Sequence, residues 1–338
     1  MGAATNGHDI VVVGASAGGI EALKELVGAL PDDLPAAVFV VLHLPAGGTS
    51  VLPDILSRAG PLPAEHVHDG VAITQGRIFV APPDCHVQIT DGTAQAIAGP
   101  KENGHRPAID PLFRSAAHAF GPRAVGIILS GTLDDGTLGM RAIKAHGGVA
   151  LVQDPKSALH RGMPESAIAN AAPDRVGTPK ELAEWTVELA NDDVENEDLE
   201  GAVTAMSHEQ EVAKQTDEHP HTGDTTGLTC PECGGAIWRQ EEANVVSFRC
   251  RVGHAYTAET FALEQGRTVE AAVWASLRLI EERVVLMRQL AERFRDQPRT
   301  SRNFTQKADE LGLHAIALRG IVDGVASAAA ISLTAREQ

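Results

Sequence analysis

Apolar residues in the first 190 positions come mostly in short unbroken runs, separated by stretches where they recur every three or four residues. Ile10-Val11-Val12-Val13 is β-branched throughout and stops at Gly14, and from Ile20 to Leu30 the positions Ile20, Leu23, Leu26, Val27 and Leu30 trace one helical face. Ala36 to Leu42 (AAVFVVL) and Ala124 to Leu129 (AVGIIL) have the length and branching of strands covered on both faces. A helix is predicted from about Gly136 to His146 and a strand at Val149 to Val152, while Ile78–Ala81 and Val87–Thr90, flanking Pro82-Pro83-Asp84, read as an antiparallel excursion. Strands and helices in alternation predict an α/β class: a doubly wound, mostly parallel, Rossmann-like sheet whose ligands sit at the carboxyl ends of its strands. Towards the other end, Phe261, Val269, Val273, Leu277, Ile280, Val284, Met287 and Phe294 keep helical spacing, and Phe304, Leu311, Leu318 and Ile321 do so again after a break near Pro298. A C-terminal α-helical hairpin is expected, packing on itself or, through its apolar stripes, forming a homodimer or docking on a partner.

Charge divides these two regions. Residues 181–224 hold 14 acidic side chains against one basic, whereas residues 1–180 carry 17 against 13 and residues 225–338 are balanced at 14 each. The stretch from Asn191 to Asp224 has no aromatic residue and too few apolar ones to offset the entropy of ordering it. The expected organisation is an α/β domain over 1–190, an acidic linker over 191–224, a small knuckle segment over 225–256 and the hairpin over 257–335. A formal charge of -17 argues against nucleic acid and anionic lipid as partners. No apolar run approaches a membrane span and no signal peptide opens the chain, so no membrane insertion and a cytoplasmic location are expected.

Gly14-Ala15-Ser16-Ala17-Gly18-Gly19 lies between the first strand and the first helix, where a dinucleotide fold would place Gly-x-Gly-x-x-Gly. Ser16 replaces the middle glycine, and His43 stands at the end of the second strand where an acidic ribose ligand would be needed, so the cofactor reading fails twice. No Gly-Lys-Ser/Thr follows, which excludes a Walker loop. The segment matches Gly-x-Ser-x-Gly, a turn whose small neighbours let a serine hydroxyl project; Ser16 could equally cap the helix. His43 closes the second apolar run, and Ser130-Gly131-Thr132-Leu133-Asp134-Asp135-Gly136 follows a third. Each has an ordinary structural reading as a strand-end residue or turn former. Together they offer a nucleophile, a base and an orienting acid on one rim, in chain order Ser, His, Asp.

With those residues in view, positions 9–190 resemble the catalytic domain of the chemotaxis protein-glutamate methylesterases. The likeness runs through Gly14 to Gly19, His43-Leu44-Pro45, Asp69-Gly70, Ile78-Phe79-Val80-Ala81-Pro82, His105-Arg106-Pro107-Ala108-Ile109-Asp110, Leu129-Ser130-Gly131, Asp135-Gly136, Gly139-Met140 and Gly162-Met163-Pro164. The resemblance implies Ser16 as nucleophile, His43 as base and Asp135, rather than Asp134, as the orienting acid. It further implies hydrolysis of glutamyl methyl esters on methyl-accepting chemoreceptors or receptor-like proteins, an activity that family members can extend to glutamine side chains, with no catalytic cofactor. Two substitutions depart from the family: Ala17 stands where a threonine is frequent, and Thr132 where a methionine lends its backbone amide to the oxyanion site. These enzymes usually carry a phosphorylatable receiver domain ahead of the catalytic one. With nine residues before the first strand, none is expected here. Arg106 reads either as a contact for an acidic receptor surface or as a structural salt bridge. The rival readings are a non-catalytic regulatory module on an esterase-like fold and a hydrolase of small esters or amides.

Three of the four cysteines lie close together. Cys230-Pro231-Glu232-Cys233, then sixteen residues, then Cys250-Arg251-Val252-Gly253-His254 supplies three thiolates and an imidazole on two knuckles, a donor set that suits a tetrahedral structural zinc. A redox role for the CxxC pair is the alternative. Cys85 is expected to be a free structural thiol.

Overall fold

The structure, a computed structural model, describes residues 7–43, 49–90, 92–192, 224–242 and 245–336. The predicted acidic linker falls almost wholly outside the described residues. The chain divides into two compact units, 1–261 and 262–338.

The first unit is built on seven strands: β1 (Ile10–Ala15), β2 (Ala37–Leu42), β3 (Ala64–His66), β5 (Arg77–Val80), β8 (Ala124–Ile128), β9 (Val149–Gln153) and β10 (Arg175–Gly177). They form one sheet in the order β10-β9-β8-β1-β2-β5-β3, and every neighbouring pair is parallel. Every residue of β1, β2 and β8 is buried, as their unbroken apolar sequence requires of strands covered on both faces. Successive side chains of β1 point to opposite faces and so feed two separate cores. Ile10 and Val12 pack with residues of α3 (Ile109–Phe120), α4 (Thr137–Ala145) and α5 (Gly162–Ala171). Val11, Val13 and Ala15 pack with α1 (Gly19–Gly28), α2 (Leu52–Ala59) and α6 (Pro179–Asn191). Each fully buried Val, Leu, Ile or Phe stabilises this arrangement by about 1.5–3 kcal/mol relative to exposure. The fold is therefore the mostly parallel, doubly wound α/β architecture that the alternating pattern implies.

One element departs from expectation. Ile78–Ala81 is not half of an antiparallel excursion: β5 lies parallel between β2 and β3, with Ile78, Phe79 and Val80 buried on both sides. Four apolar residues carry no usable period, so spacing cannot distinguish an inner parallel strand from a hairpin arm. The antiparallel element is a separate small sheet of β4 (Val71–Ala72), β7 (Thr93–Ile97) and β6 (His86–Thr90).

The first unit also contains a four-stranded antiparallel sheet, β11 (Asp224–Thr229), β12 (Ala236–Glu242), β13 (Val245–Cys250) and β14 (Ala255–Thr257), around a small core of Cys230, Ile237, Cys250, Tyr256 and Phe261. Two long helices follow, α7 (Ala258–Arg293) and α8 (Pro298–Arg336), and α7 runs unbroken through Gly266. In the second unit they pair as a hairpin, closed by stacking of Phe294 on Phe304 and an ion pair between Arg319 and Glu281. Val269, Trp274, Leu279, Val285, Leu286, Leu313 and Ile316 of this hairpin remain exposed. Among the described residues no helix is long and apolar enough to cross a membrane.

Candidate active site

The sheet order reverses at β1, since the chain proceeds from β1 to β2 on one side and returns to β8 on the other. In such a sheet the crevice beyond the carboxyl ends at this point is where ligands bind. Parallel register sets the three strand ends level: Ala15 pairs with Leu42, Gly14 with Ile128, the His43 N–H donates to Ala15 O (3.2 Å), and the Ser16 N–H donates to Ser130 O (2.9 Å). The residue leaving each strand thereby enters the same crevice.

Ser16, His43 and Asp135 meet there in one hydrogen-bonded line. His43 Nε2 lies 2.7 Å from Asp135 Oδ2, and His43 Nδ1 lies 3.0 Å from Ser16 Oγ. An ionised carboxylate only accepts, so Nε2 carries the proton and Nδ1 is left to accept from the serine hydroxyl. The two ring nitrogens thus exchange the places they hold in the chymotrypsin triad. Ser16 is half-buried, whereas the His43 and Asp135 side chains are 7% and 3% exposed, so the line runs from the crevice inward. Ser16 does not cap α1; the residue at that position is Gly18, whose left-handed backbone (φ 70°) makes the turn.

Asp135 sits in a cradle that spacing did not reveal. The Ile109 N–H donates to Oδ2 (2.7 Å) and Asn103 Nδ2 donates to Oδ1 (2.8 Å). Burial opposes charge on Asp135, but the hydrogen bond and charge of His43, with the Ile109 and Asn103 donors, outweigh it and hold the carboxyl well below the usual range. Its neighbour Asp110 is moved the opposite way, well above the ordinary carboxylate value, by burial and by the charge of Asp135. The His105 ring stacks on that of His43 at 3.7 Å between centroids and 11° between planes. Asn103 and His105 come from the loop after β7, a stretch with no periodicity to mark it.

The turn 130–136 closes the other side of Ser16. A Cβ on Gly131 would lie 2.0 Å from Met163 Sδ and 2.9 Å from Ser16 Cβ, so only glycine lets this turn approach the serine. Thr132 is exposed beside it. Arg106 resolves as a structural bridge: its Nε and Nη2 both donate to Asp84 Oδ1 (2.9 and 2.7 Å), and Nη1 donates to Gly99 O (2.7 Å). Asp134 faces away from His43, accepting from the Thr257 and Thr260 hydroxyls (2.8 and 3.0 Å).

Cys230, Cys233, Cys250 and His254 also converge, with all four donor atoms within 4.8 Å of one another. Bonds of about 2.3 Å to sulfur and 2.05 Å to nitrogen in a tetrahedron would place two sulfurs about 3.8 Å apart and a sulfur and nitrogen about 3.6 Å apart. Cys233 and Cys250 Sγ are 3.7 Å apart, and His254 Nδ1 is 3.5 and 3.7 Å from Cys250 and Cys230 Sγ. This donor set and size fit a tetrahedral metal. Cys85 is a half-buried free thiol.

A doubly wound parallel sheet that lines up a serine hydroxyl, an imidazole and a buried carboxylate at its carboxyl edge has the architecture of a serine-type α/β esterase. Residues 11–186 match the CheB methylesterase family, and the chain belongs to that family. It is 34% identical over 193 residues to protein-glutamate methylesterase/protein-glutamine glutaminase 2 of Methanosarcina mazei, covering 55% of this chain and 53% of that one. It is 40% identical over 171 residues to a protein of the same name, number 5, from Anaeromyxobacter dehalogenans, covering 49% and 47%. The chain thus spans about half the length of the curated relatives it matches. Among solved structures, the Thermotoga maritima CheB methylesterase catalytic domain aligns with a TM-score of 0.52 and 31% identity, over 54% of this chain and 98% of that one.

Proposed function

We propose that the chain is a serine esterase that hydrolyses glutamyl methyl esters on chemoreceptor-type proteins, with Ser16 as nucleophile, His43 as base and Asp135 as the orienting acid. The observation that carries this reading is the continuous line from Ser16 Oγ through both His43 nitrogens to Asp135 Oδ2. His43 Nδ1 takes the hydroxyl proton as Ser16 Oγ attacks the ester carbonyl, and the imidazolium is stabilised by Asp135. The tetrahedral oxyanion is held by backbone N–H groups at the start of α1 and from the 131–133 turn, each such donor being worth about 2.7–4 kcal/mol. Collapse expels methanol, which takes the proton from Nδ1. Water, activated by the same nitrogen, then attacks the acyl-serine carbonyl and releases the glutamate carboxylate and free Ser16. A carboxamide would follow the same course with ammonia as the leaving group, and this extends the proposal to glutamine side chains. The partner is a methylated receptor, the location cytoplasmic, and catalysis needs no cofactor.

The knuckle residues Cys230, Cys233, Cys250 and His254 would hold a zinc ion whose role is structural: four protein ligands leave no open position, and the ion supplies cross-links between loops.

Purified protein added to methyl-labelled receptor membranes should release methanol, and Ser16→Ala should abolish the release while leaving the melting temperature nearly unchanged. Equal release by the Ser16→Ala protein would overturn the assignment.

A further inference from the structure

Asn103 belongs neither to the Ser16 line nor to the knuckle, and it touches both. It is 4% exposed, with a left-handed backbone (φ 51°). Its Oδ1 accepts the Thr257 N–H (3.0 Å), while its Nδ2 donates to Asp135 Oδ1 (2.8 Å) and Asp110 Oδ2 (3.0 Å). We infer that Asn103 is a positioning residue for Asp135, and that metal loading of the Cys230-Cys233-Cys250-His254 knuckle sets it and so controls the competence of the Ser16 line.

An amide has two unlike ends, and both are specified here. The Thr257 N–H can only donate, which fixes Oδ1, and two carboxyl groups then face the NH₂. Without the Thr257 N–H, Asn103 Oδ1 loses the donor that anchors it, and the amide is held only by the two carboxyls it serves, free to tilt away from them. Asp135 would lose a donor from its cradle and, with it, the fixed direction of the Oδ2 bond to His43. Each segment that carries a ligand also grips the loop around Asn103. Glu232, between Cys230 and Cys233, pairs with Lys101 (2.6 Å). Arg249, directly before Cys250, lies 3.8 Å from Glu102, which is also held by Arg114. Ala255, directly after His254, accepts the Asn103 N–H (2.8 Å) and donates to Lys101 O (3.4 Å). A cation that cross-links these three segments would fix all of these contacts at once, and Thr257 lies only three residues beyond His254.

The rate arm of the test rests on the esterase reading; the spectroscopic arm does not. Full-length protein with ¹⁵N-labelled histidine is compared with zinc bound and after chelation, with metal content measured, and the His43 ring titration is followed by NMR. The same is done for Asn103→Gly, a substitution that suits the left-handed backbone and removes the side chain with its amide while keeping the backbone bond to Ala255. Zinc removal and Asn103→Gly should each move the His43 midpoint in the same direction and lower the rate of methanol release about 10- to 100-fold, the scale of a catalytic group displaced by about an ångström. Zinc removal should add little in the Asn103→Gly protein. Substrate affinity should change far less than turnover. An unmoved His43 midpoint in zinc-free protein, or effects that simply add, would overturn the inference. Should chelation unfold the chain, zinc-loaded Asn103→Gly decides alone: a native midpoint and rate overturn the role of Asn103. If methanol release is absent throughout while the midpoint moves, the esterase reading fails and the coupling stands.

Discussion

At the residue scale, His43 is tuned by what it is bonded to. Because Nε2 faces a carboxylate that accepts a second donor from Ile109 on the same oxygen, the ring is held in the tautomer that leaves Nδ1 open to Ser16. Asp135→Asn reverses that choice: the carboxamide can present an N–H to Nε2, drive the proton to Nδ1 and leave Ser16 without a base. Turnover should fall about 10⁴-fold with substrate affinity nearly unchanged, as expected when a triad acid is replaced by its amide. A loss below tenfold in single-turnover measurements would show that Asp135 does not set the tautomer. Ser16, His43 and Asp135 could be singled out from sequence because each follows an apolar run, Ser16 sits in a Gly-x-Ser-x-Gly turn and Asp135 adjoins Gly136. Asn103 and His105 could not, because they lie in a loop without period, and the Thr257 bond that gives Asn103 its meaning spans 154 positions. The choice between Asp134 and Asp135 came from family likeness; in three dimensions their partners separate them.

At the element scale, the approach of the 130–136 turn to the β1 end depends on the missing side chain at Gly131. Gly131→Ala must displace either Met163, which is wholly buried, or Ser16 itself, and should destabilise the protein by about 1–3 kcal/mol. Adding Met163→Ala makes room at the sulfur but not at Ser16 Cβ. The double variant is therefore expected to change stability without recovering turnover, a pattern that thermal melts and initial rates would read directly. Recovery of turnover in the double variant would mean that the Ser16 contact is not the limiting one. Strands β1, β2 and β8, which deliver the three site residues, were legible because burial on both faces demands uninterrupted apolar sequence. β5 was misread for the same reason that it is stable: it is short, apolar throughout and lies between two parallel neighbours, so it shows no alternation that would reveal its partner.

At the scale of the whole molecule, the knuckle sheet meets the α/β domain through several polar contacts, and one of them is a buried acid. Asp134 accepts both threonine hydroxyls at the start of α7, and burial, aided by the nearby charges of Glu259 and Asp135, pushes its carboxyl up to about 6 from an ordinary 3.8. A carboxyl raised in the folded state favours folding while protonated, so its contribution is full below the unfolded value and is lost as pH rises through about 6. The difference amounts to about 3 kcal/mol. Asp134→Asn keeps an oxygen acceptor for Thr257 and Thr260 and cannot ionise. Melting temperatures of the two proteins, measured with zinc bound from pH 5 to pH 8, should diverge as pH rises, with the variant the more stable, and the gap should level off above pH 7. A gap independent of pH would place the ionised carboxylate in a better-solvated setting than its two hydroxyl donors suggest. Because Asp134→Asn keeps the acceptor that holds Thr257, whose N–H in turn holds Asn103, the substitution should leave the Ser16 line in place.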